Sequence, residues 1–301
     1  MGTRVIGLEL DDTRAVAVAV DDAGNVLARA QEDGSDLAAR AAAVLAQVEG
    51  AIPAGSRGVI GIAAINPEST AVAQVMSDLA LKFGSALAGR AAVLSGTAAA
   101  AAEAWVGAAR GMKDVVFFAV NQHTTGGVVR NGVAITGARG RAGLVGWLAL
   151  NPVEREDYRK TGCLEAEVAA AGIVRRIVWR IKAGDRSRVQ DIVRDDFSAI
   201  TMEHVLTAAR DGDGVSISVV RDTAKYLGMA AANLVVISDP EMLVLGGIMA
   251  SASDLLLEPV RTEIARRLPK QMLDALRIET AVLGDAAAAI GAARLVTAAA
   301  P

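Results

Sequence analysis

Apolar and polar residues alternate in short runs at the start of the chain. Val5-Ile6-Gly7-Leu8-Glu9-Leu10 is followed by a polar turn at Asp11-Asp12-Thr13-Arg14, an apolar run from Ala15 to Val20, a second turn at Asp21 to Asn25 and a third run from Val26. Runs of this length bounded by Asp, Asn and Gly predict three consecutive strands, a meander. The period then changes: Leu37, Ala41, Val44, Leu45 and Val48 fall on one face of a helix over 35–50. Arg57 to Ile65 predicts a strand, 70–84 a helix, Ala91 to Leu94 a short strand and Thr97 to Ala109 a helix.

From Asp114 the order starts again. Val115 to Val120, Gly126 to Arg130 and Val133 to Thr136 predict strands, joined by a polar turn at 121–125 and by Asn131-Gly132, the pair favoured where both turn residues take positive φ. A helix-rich stretch over about 163–235, a strand from Met242 to Leu245 ending at Gly246-Gly247, a strand from Arg277 to Val282 and a helix after Gly284-Asp285 complete the pattern. Two halves that each run meander, helix, strand, helix predict a duplicated α/β unit with a cleft between the copies. The expected domains are residues 1–113 together with about 286–301, and residues 114–285.

Composition narrows the function classes. With 301 residues and 52% hydrophobic content the chain can fill two domain cores. Its 31 basic and 34 acidic residues give a formal charge of -3, with neither sign gathered in a block, so nucleic acid is not an expected partner. A single cysteine, Cys163, forms no internal disulfide and supplies no cysteine-based zinc site, which fits a reducing, cytoplasmic location. The sequence opens with no signal-peptide pattern, and its uncharged stretches of about 15 residues fall short of the roughly 20 that a membrane helix needs. Aromatic residues are only 3%, so the alanine-rich helices, Ala98 to Ala102 among them, are expected to pack through small side chains.

Several strings carry a resemblance when taken in order: Val5 to Arg14; Ala102 to Gly111; Gly162-Cys163-Leu164-Glu165; Asp239-Pro240-Glu241 with Val244-Leu245-Gly246-Gly247; Leu255 to Val260; and Leu283 to Ala286 with Ile290 to Ala293. Together they are similar to the ROK family of bacterial sugar kinases and repressors, within the actin-like ATPase superfamily. The resemblance implies an α/β, duplicated, ribonuclease H-like sugar-kinase fold of two domains with an interdomain cleft. It also implies a homodimer.

Against that family the sequence departs where the chemistry lies. The family's Asp-x-Gly-Gly-Thr hairpin, whose glycines admit ATP phosphates, corresponds to Glu9, Leu10, Asp11, Asp12 and Thr13. Two carboxylates replace two glycines; a like-charge pair about 4 Å apart costs roughly 4 kcal/mol at an effective dielectric of about 20. The second phosphate loop corresponds to 121–127 and keeps only Gly126 and Gly127. Gly246 and Gly247 match the glycine pair near the adenine end.

The family's Asn-Asp pair, which orients the sugar and takes the proton, is matched to Ser95-Gly96, leaving Gly96 at the base position. General-base assistance contributes about 10²–10⁴-fold in rate, so this position is the decisive one. The sugar motif Glu-x-Gly-His becomes Leu144-Val145-Gly146-Trp147, and burying sugar hydroxyls without partners costs roughly 1–3 kcal/mol each. Trp147 can stack on a ligand or fill a vacated pocket. Glu165 persists, while the zinc motif before it is absent. His123 stands in the loop with no acidic partner visible in the sequence.

These departures imply a catalytically silent ROK-like protein that binds a small effector or a protein partner, with no cofactor and no metal. The alternatives are a divergent ATP-dependent carbohydrate kinase of glucokinase type, which would use Mg-ATP, and an assembly subunit. Ligand-binding candidates are Ser95, His123, Leu144, Trp147 and Glu165; nucleotide-binding candidates are Glu9, Asp11, Asp12, Thr13, Gly126, Gly127, Gly246 and Gly247.

Overall fold

A computed structural model describes residues 4–52, 57–84, 87 and 91–298. Strands β1 (Arg4–Leu10), β2 (Arg14–Val20) and β3 (Val26–Asp33) form the expected meander, followed by α1 (Leu37–Ala51), β4 (Arg57–Ala64), α2 (Thr70–Phe83), β5 (Val93–Leu94) and α3 (Ser95–Trp105). Then come β6 (Val115–Val120), β7 (Thr124–Arg130) and β8 (Val133–Ala134). Helices α4 (Glu156–Thr161), α5 (Cys163–Val168), α6 (Ala170–Lys182), α7 (Arg188–Val193), α8 (Met202–Arg210) and α9 (Gly214–Ser238) precede β9 (Met242–Gly247). Helices α10 (Ile248–Ser251), α11 (Ser253–Ala265) and α12 (Lys270–Ala275), strand β10 (Arg277–Thr280) and α13 (Ala287–Ala298) follow.

Two five-stranded sheets result, in the orders β3-β2-β1-β4-β5 and β10-β9-β6-β7-β8. In the first, β1 pairs antiparallel with β2 and parallel with β4, and β4 pairs parallel with β5. Both faces of this sheet are covered, which is why β2 is apolar at every position except its first. Ala15, Ala17 and Ala19 pack toward Val44 and Leu45 of α1 and Val75 and Leu79 of α2, whereas Val16, Val18 and Val20 pack toward Ala102 of α3 and Ala289, Ile290 and Ala293 of α13.

On the second face helix and sheet approach to backbone contact. A Cβ at Gly7 would lie 1.8 Å from the Ala289 carbonyl oxygen, and one at Gly61 2.0 Å from that of Ala292. Both strand positions therefore require glycine. At the β7–β8 turn Asn131 and Gly132 have φ of 51° and 78°, the left-handed pair that the sequence predicts there.

The chain divides into two compact units, 1–117 with 126–143 and 281–301, and 118–125 with 144–280. The expected boundaries differ in that 114–117, 126–143 and 281–285 group with the first unit. Residues 126–143 do so because Gly126 and Gly127 lie directly on Gly96 of α3, and the Thr97 hydroxyl donates to the Ala142 carbonyl. Among the described residues no helix is long and apolar enough to cross a membrane.

Helix α3 ends at Trp105, short of the expected Ala109. Glu103, fully buried, accepts from the Ala108 amide at 2.7 Å through Oε2 and from the Val282 and Leu283 amides at 3.1 Å each through Oε1. Its carboxylate pulls the following residues out of helical register and ties them to the segment before α13.

Candidate functional site

In the first unit the acidic turn between β1 and β2 is built over two guanidinium groups. The Asp11 amide donates to the Arg14 carbonyl at 2.9 Å, closing the turn, and Asp11 Oδ1 accepts from the Thr13 amide. Arg40 of α1, buried, donates through one Nη to the carbonyls of Asp11 and Asp12 at 3.2 and 3.0 Å. Its other Nη is sealed from solvent without a hydrogen-bond partner among the described residues. Arg14 contacts Asp285 at 2.9 Å and Glu9 at 3.8 Å. Arg40 thus braces the turn through its backbone, and Arg14 feels the charge of Asp11 as well as those of Glu9 and Asp285.

Glu9, at the end of β1, is buried. Burial pushes its carboxyl up to about 7; the Arg14 charge and a hydrogen bond with Ser95 pull the other way and are outweighed. Ser95, the first residue of α3, is itself buried.

That neighbourhood gives a physical reason for the glycine at the family's base position. A Cβ on Gly96 would lie 2.2 Å from the Gly126 carbonyl oxygen and 2.4 Å from its amide nitrogen, so no side chain fits at 96. Ser95, beside Glu9, is the residue of the pair that presents a functional group. Gly127 is constrained in the same contact, its Cβ falling 2.2 Å from the Gly96 carbonyl. Gly247 is required by packing as well: with φ of 61°, its Cβ would meet the Val120 carbonyl at 2.0 Å. These two glycines are explained by backbone approach before any nucleotide is invoked.

In the second unit the loop before β7 and the first turn of α5 converge. His123 Nδ1 lies 2.9 Å from Glu165 Oε1, and the Thr124 amide donates to Glu165 Oε2 at 2.6 Å. The Thr124 hydroxyl donates to the same oxygen. His123 is 27% and Glu165 17% exposed at the side chain. The acidic partner that the sequence does not reveal for His123 is therefore Glu165. Gly146 sits against both Thr124 and Glu165: a Cβ there would lie 2.6 Å from the Thr124 hydroxyl and 3.2 Å from Glu165.

Leu144 and Trp147 flank this point and are 42% and 54% exposed, so Trp147 does not fill a vacated core. Trp147 instead lines a groove of about 750 Å³ with Asn151, Val153, Tyr158 and Cys163. The polar network that sequence reasoning missed lies behind it. Arg155 bridges Asp157 at 2.6 Å and Glu167 at 2.9 Å, the Tyr158 hydroxyl donates to Glu167, and Arg175 also contacts Asp157. It fixes α4 against α5 where the family's zinc motif would stand.

Among the described residues no three His, Cys, Asp or Glu side chains converge as a metal cage. A Mg²⁺ that arrives with a nucleotide needs less, because it takes one or two carboxylates and completes its shell with phosphate oxygens and water. The half-buried Asp11 and exposed Asp12 of the turn fit that description; the buried Glu9, whose carboxyl is raised to about 7, fits it less well.

Two such sheets with this strand order and helical cover are the actin-like ATPase fold of sugar kinases, as superposition on solved structures shows. The ROK family glucokinase from Streptomyces griseus, solved with glucose and AMPPNP, matches with a TM-score of 0.80 at 21% identity over 97% of this chain and 98% of that one. The ROK hexokinase from Thermus thermophilus matches with a TM-score of 0.73 at 26% identity over 97% of each chain. The chain belongs to the ROK family, whose sequence pattern it matches over residues 5–299. It is 33% identical over 200 residues to a glucokinase of Halalkalibacterium halodurans, 66% of this chain and 60% of that protein. It is 30% identical over 198 residues to the N-acetylglucosamine repressor of Escherichia coli O157:H7, 65% of this chain and 47% of that protein.

Proposed function

We propose that this chain is a divergent ATP-dependent carbohydrate kinase. The observation that carries the proposal is the organised state of Glu165. Three of the roughly four lone-pair positions of its carboxylate are taken by His123 and by the amide and hydroxyl of Thr124, which fix its orientation and leave one position for a ligand hydroxyl. A carboxylate, an imidazole and a hydroxyl within one hydrogen-bond network suit the dense hydroxyl array of a sugar, and Trp147 offers an exposed aromatic face nearby in sequence. The relatives named as glucokinases support this reading over the catalytically silent protein expected from the sequence alone. Nucleotide phosphates would be met in the first unit by the Asp11-Asp12 turn with Mg²⁺, backed by Arg14 and Arg40.

A second reading is favoured by one observation: no carboxylate stands at Ser95 or Gly96. On that reading the protein binds carbohydrate without phosphorylating it. The test is a panel of hexoses, N-acetylhexosamines and pentoses with Mg-ATP, followed by direct detection of sugar phosphate and, in parallel, by titration calorimetry. Sugar phosphate formed only with one sugar class supports the kinase. Tight binding with no product would establish the second reading, and neither binding nor product would remove both.

A further inference from the structure

We propose that the ion-pair ring of Arg155, Asp157, Glu167 and Arg175, closed by Tyr158, positions Glu165 for its ligand. The inference rests on the carbohydrate reading of Glu165 above, and every residue in it belongs to the second unit. Helix α5 has only six residues, Cys163–Val168, too few to hold a helix by its own hydrogen bonds, so its orientation comes from what it touches. Glu165 and Glu167 are two residues apart on it, about 200° round the axis, and so leave the helix on nearly opposite sides. One carboxylate reaches the loop at 123–124; the other reaches the ring.

The Glu167 side anchors the helix. Glu167 is buried, and a buried carboxylate is tolerated only when it is paired. Arg155 donates to its Oε1 at 2.9 Å, the Tyr158 hydroxyl donates to the same oxygen, and Arg175 lies 3.7 Å from it. Asp157 completes the ring by contacting both guanidinium groups, so two cations balance two anions. Arg175 also donates to the Ala166 carbonyl at 2.9 Å, which clamps the backbone between the two glutamates. Gly172 of α6 lies against that carbonyl so closely that a Cβ there would fall 2.3 Å from its oxygen. At the start of α5, Gly162 packs on the Gly146 carbonyl in the same way, at 2.3 Å and with φ of 94°.

The loop that carries His123 and Thr124 is tied to the start of α6 by the Ala170 amide, which donates to the Asn121 carbonyl at 3.0 Å. A carboxylate stands about 5–6 Å from a helix axis, so a turn of α5 by about 20° would swing Glu165 by about 2 Å. Hydrogen bonds span a useful range of only about 0.5 Å, so such a turn would break those that Glu165 makes to the loop and misdirect its remaining position. The ring prevents that turn. Its members act through Glu165 and are positioning residues.

The experiment uses the full chain with its histidines labelled with nitrogen-15. The sequence has two: His123, which contacts Glu165, and His204, which caps α8 with Thr201 and serves as an internal reference. The ring-nitrogen resonances of His123 report its hydrogen bond to Glu165. Tyr158→Phe removes one hydroxyl and keeps the ring that lies against Arg155. Glu167→Ala removes the anion, Glu167→Gln keeps an oxygen that can accept from Arg155 and Tyr158, and Asp213→Asn is a destabilised control outside the ring. Tyr158→Phe and Glu167→Ala should shift the His123 resonances and leave those of His204 in place. With the sugar that the panel selects, titration calorimetry without nucleotide should show Kd raised about 3–10-fold by Tyr158→Phe and about 10²-fold by Glu167→Ala. Glu167→Gln should stay within a few-fold of wild type. Asp213→Asn should change neither readout despite its lower stability, which separates positioning from a loss of folding free energy. Should Glu167→Ala not fold, Tyr158→Phe carries the test. His123 resonances in Tyr158→Phe identical to those of wild type would overturn the proposal. If they move as expected while wild type binds none of the sugars, the ring still places Glu165 and it is the carbohydrate reading that falls.

Discussion

Replacing Glu9 with glutamine should change how the stability of this protein depends on pH. The folded carboxyl is raised from 4.5 to about 7, chiefly by burial. Unfolded, it returns to its ordinary value. Between those two values the folded state binds more protons than the unfolded state, so stability is greatest at low pH and declines as pH rises toward about 7, after which the loss is constant. The displacement corresponds to about 3 kcal/mol in total, of which about 2.5 kcal/mol falls between about pH 5 and about pH 8. Glutamine has the same shape and no charge to desolvate. The variant should therefore gain about 2.5 kcal/mol on wild type over that interval when each is unfolded in urea and the free energies are compared at matched pH. Taking the difference at each pH cancels the titration of other groups. Parallel stability curves for the two proteins would show that Glu9 is hydrated or paired in the folded state, and the account of its burial would be refuted.

Other outcomes follow from single contacts. Glu103→Ala strands the amides of Ala108, Val282 and Leu283, and should lower the unfolding free energy by about 3 kcal/mol or more, read as a fall in the urea midpoint with unchanged slope. Gly96→Asp, the change that would formally restore a carboxylate at the expected base position, should yield poorly folded protein and no gain in sugar phosphorylation, checked by circular dichroism and product assay. At Asp213, burial alone would raise the carboxyl, yet hydrogen bonds from Ser216, Ser187 and the Arg188 amide prevail and hold it below its ordinary value. This contribution is present above pH about 4 and is lost as pH falls through the folded value, so Asp213→Asn should cost about 1–3 kcal/mol near neutrality and progressively less in acid, measured by urea unfolding.

The strands and helices were largely legible because their signals are local. The opening meander, the Asn131-Gly132 turn and the apolar period of α1 depend on neighbours a few residues apart. What the sequence hid is long-range. His123 and Glu165 are 42 positions apart, and nothing in either segment announces the other. Glu103 reaches amides 179 and 180 positions away, which is why the end of α3 was placed too late. Helix α4 was hidden for a different reason: Glu154 to Lys160 stands out in the sequence only for holding no cysteine or histidine, and the helix there is held by Arg155, Tyr158 and Glu167 rather than by an apolar stripe. The glycine at the family's base position was legible, but the reason that only glycine fits there was not, because a comparison of strings offers no information about room for a side chain.

The backbone contact of α13 with Gly7 and Gly61 bears on biosynthesis. Strands β1 and β4 leave the ribosome long before the helix that lies on their second face. Until then the nascent polypeptide carries an incompletely covered valine surface, at Val16, Val18 and Val20. Assembly of this half waits until α13 has been made, and chaperone occupancy should concentrate on the interval before it.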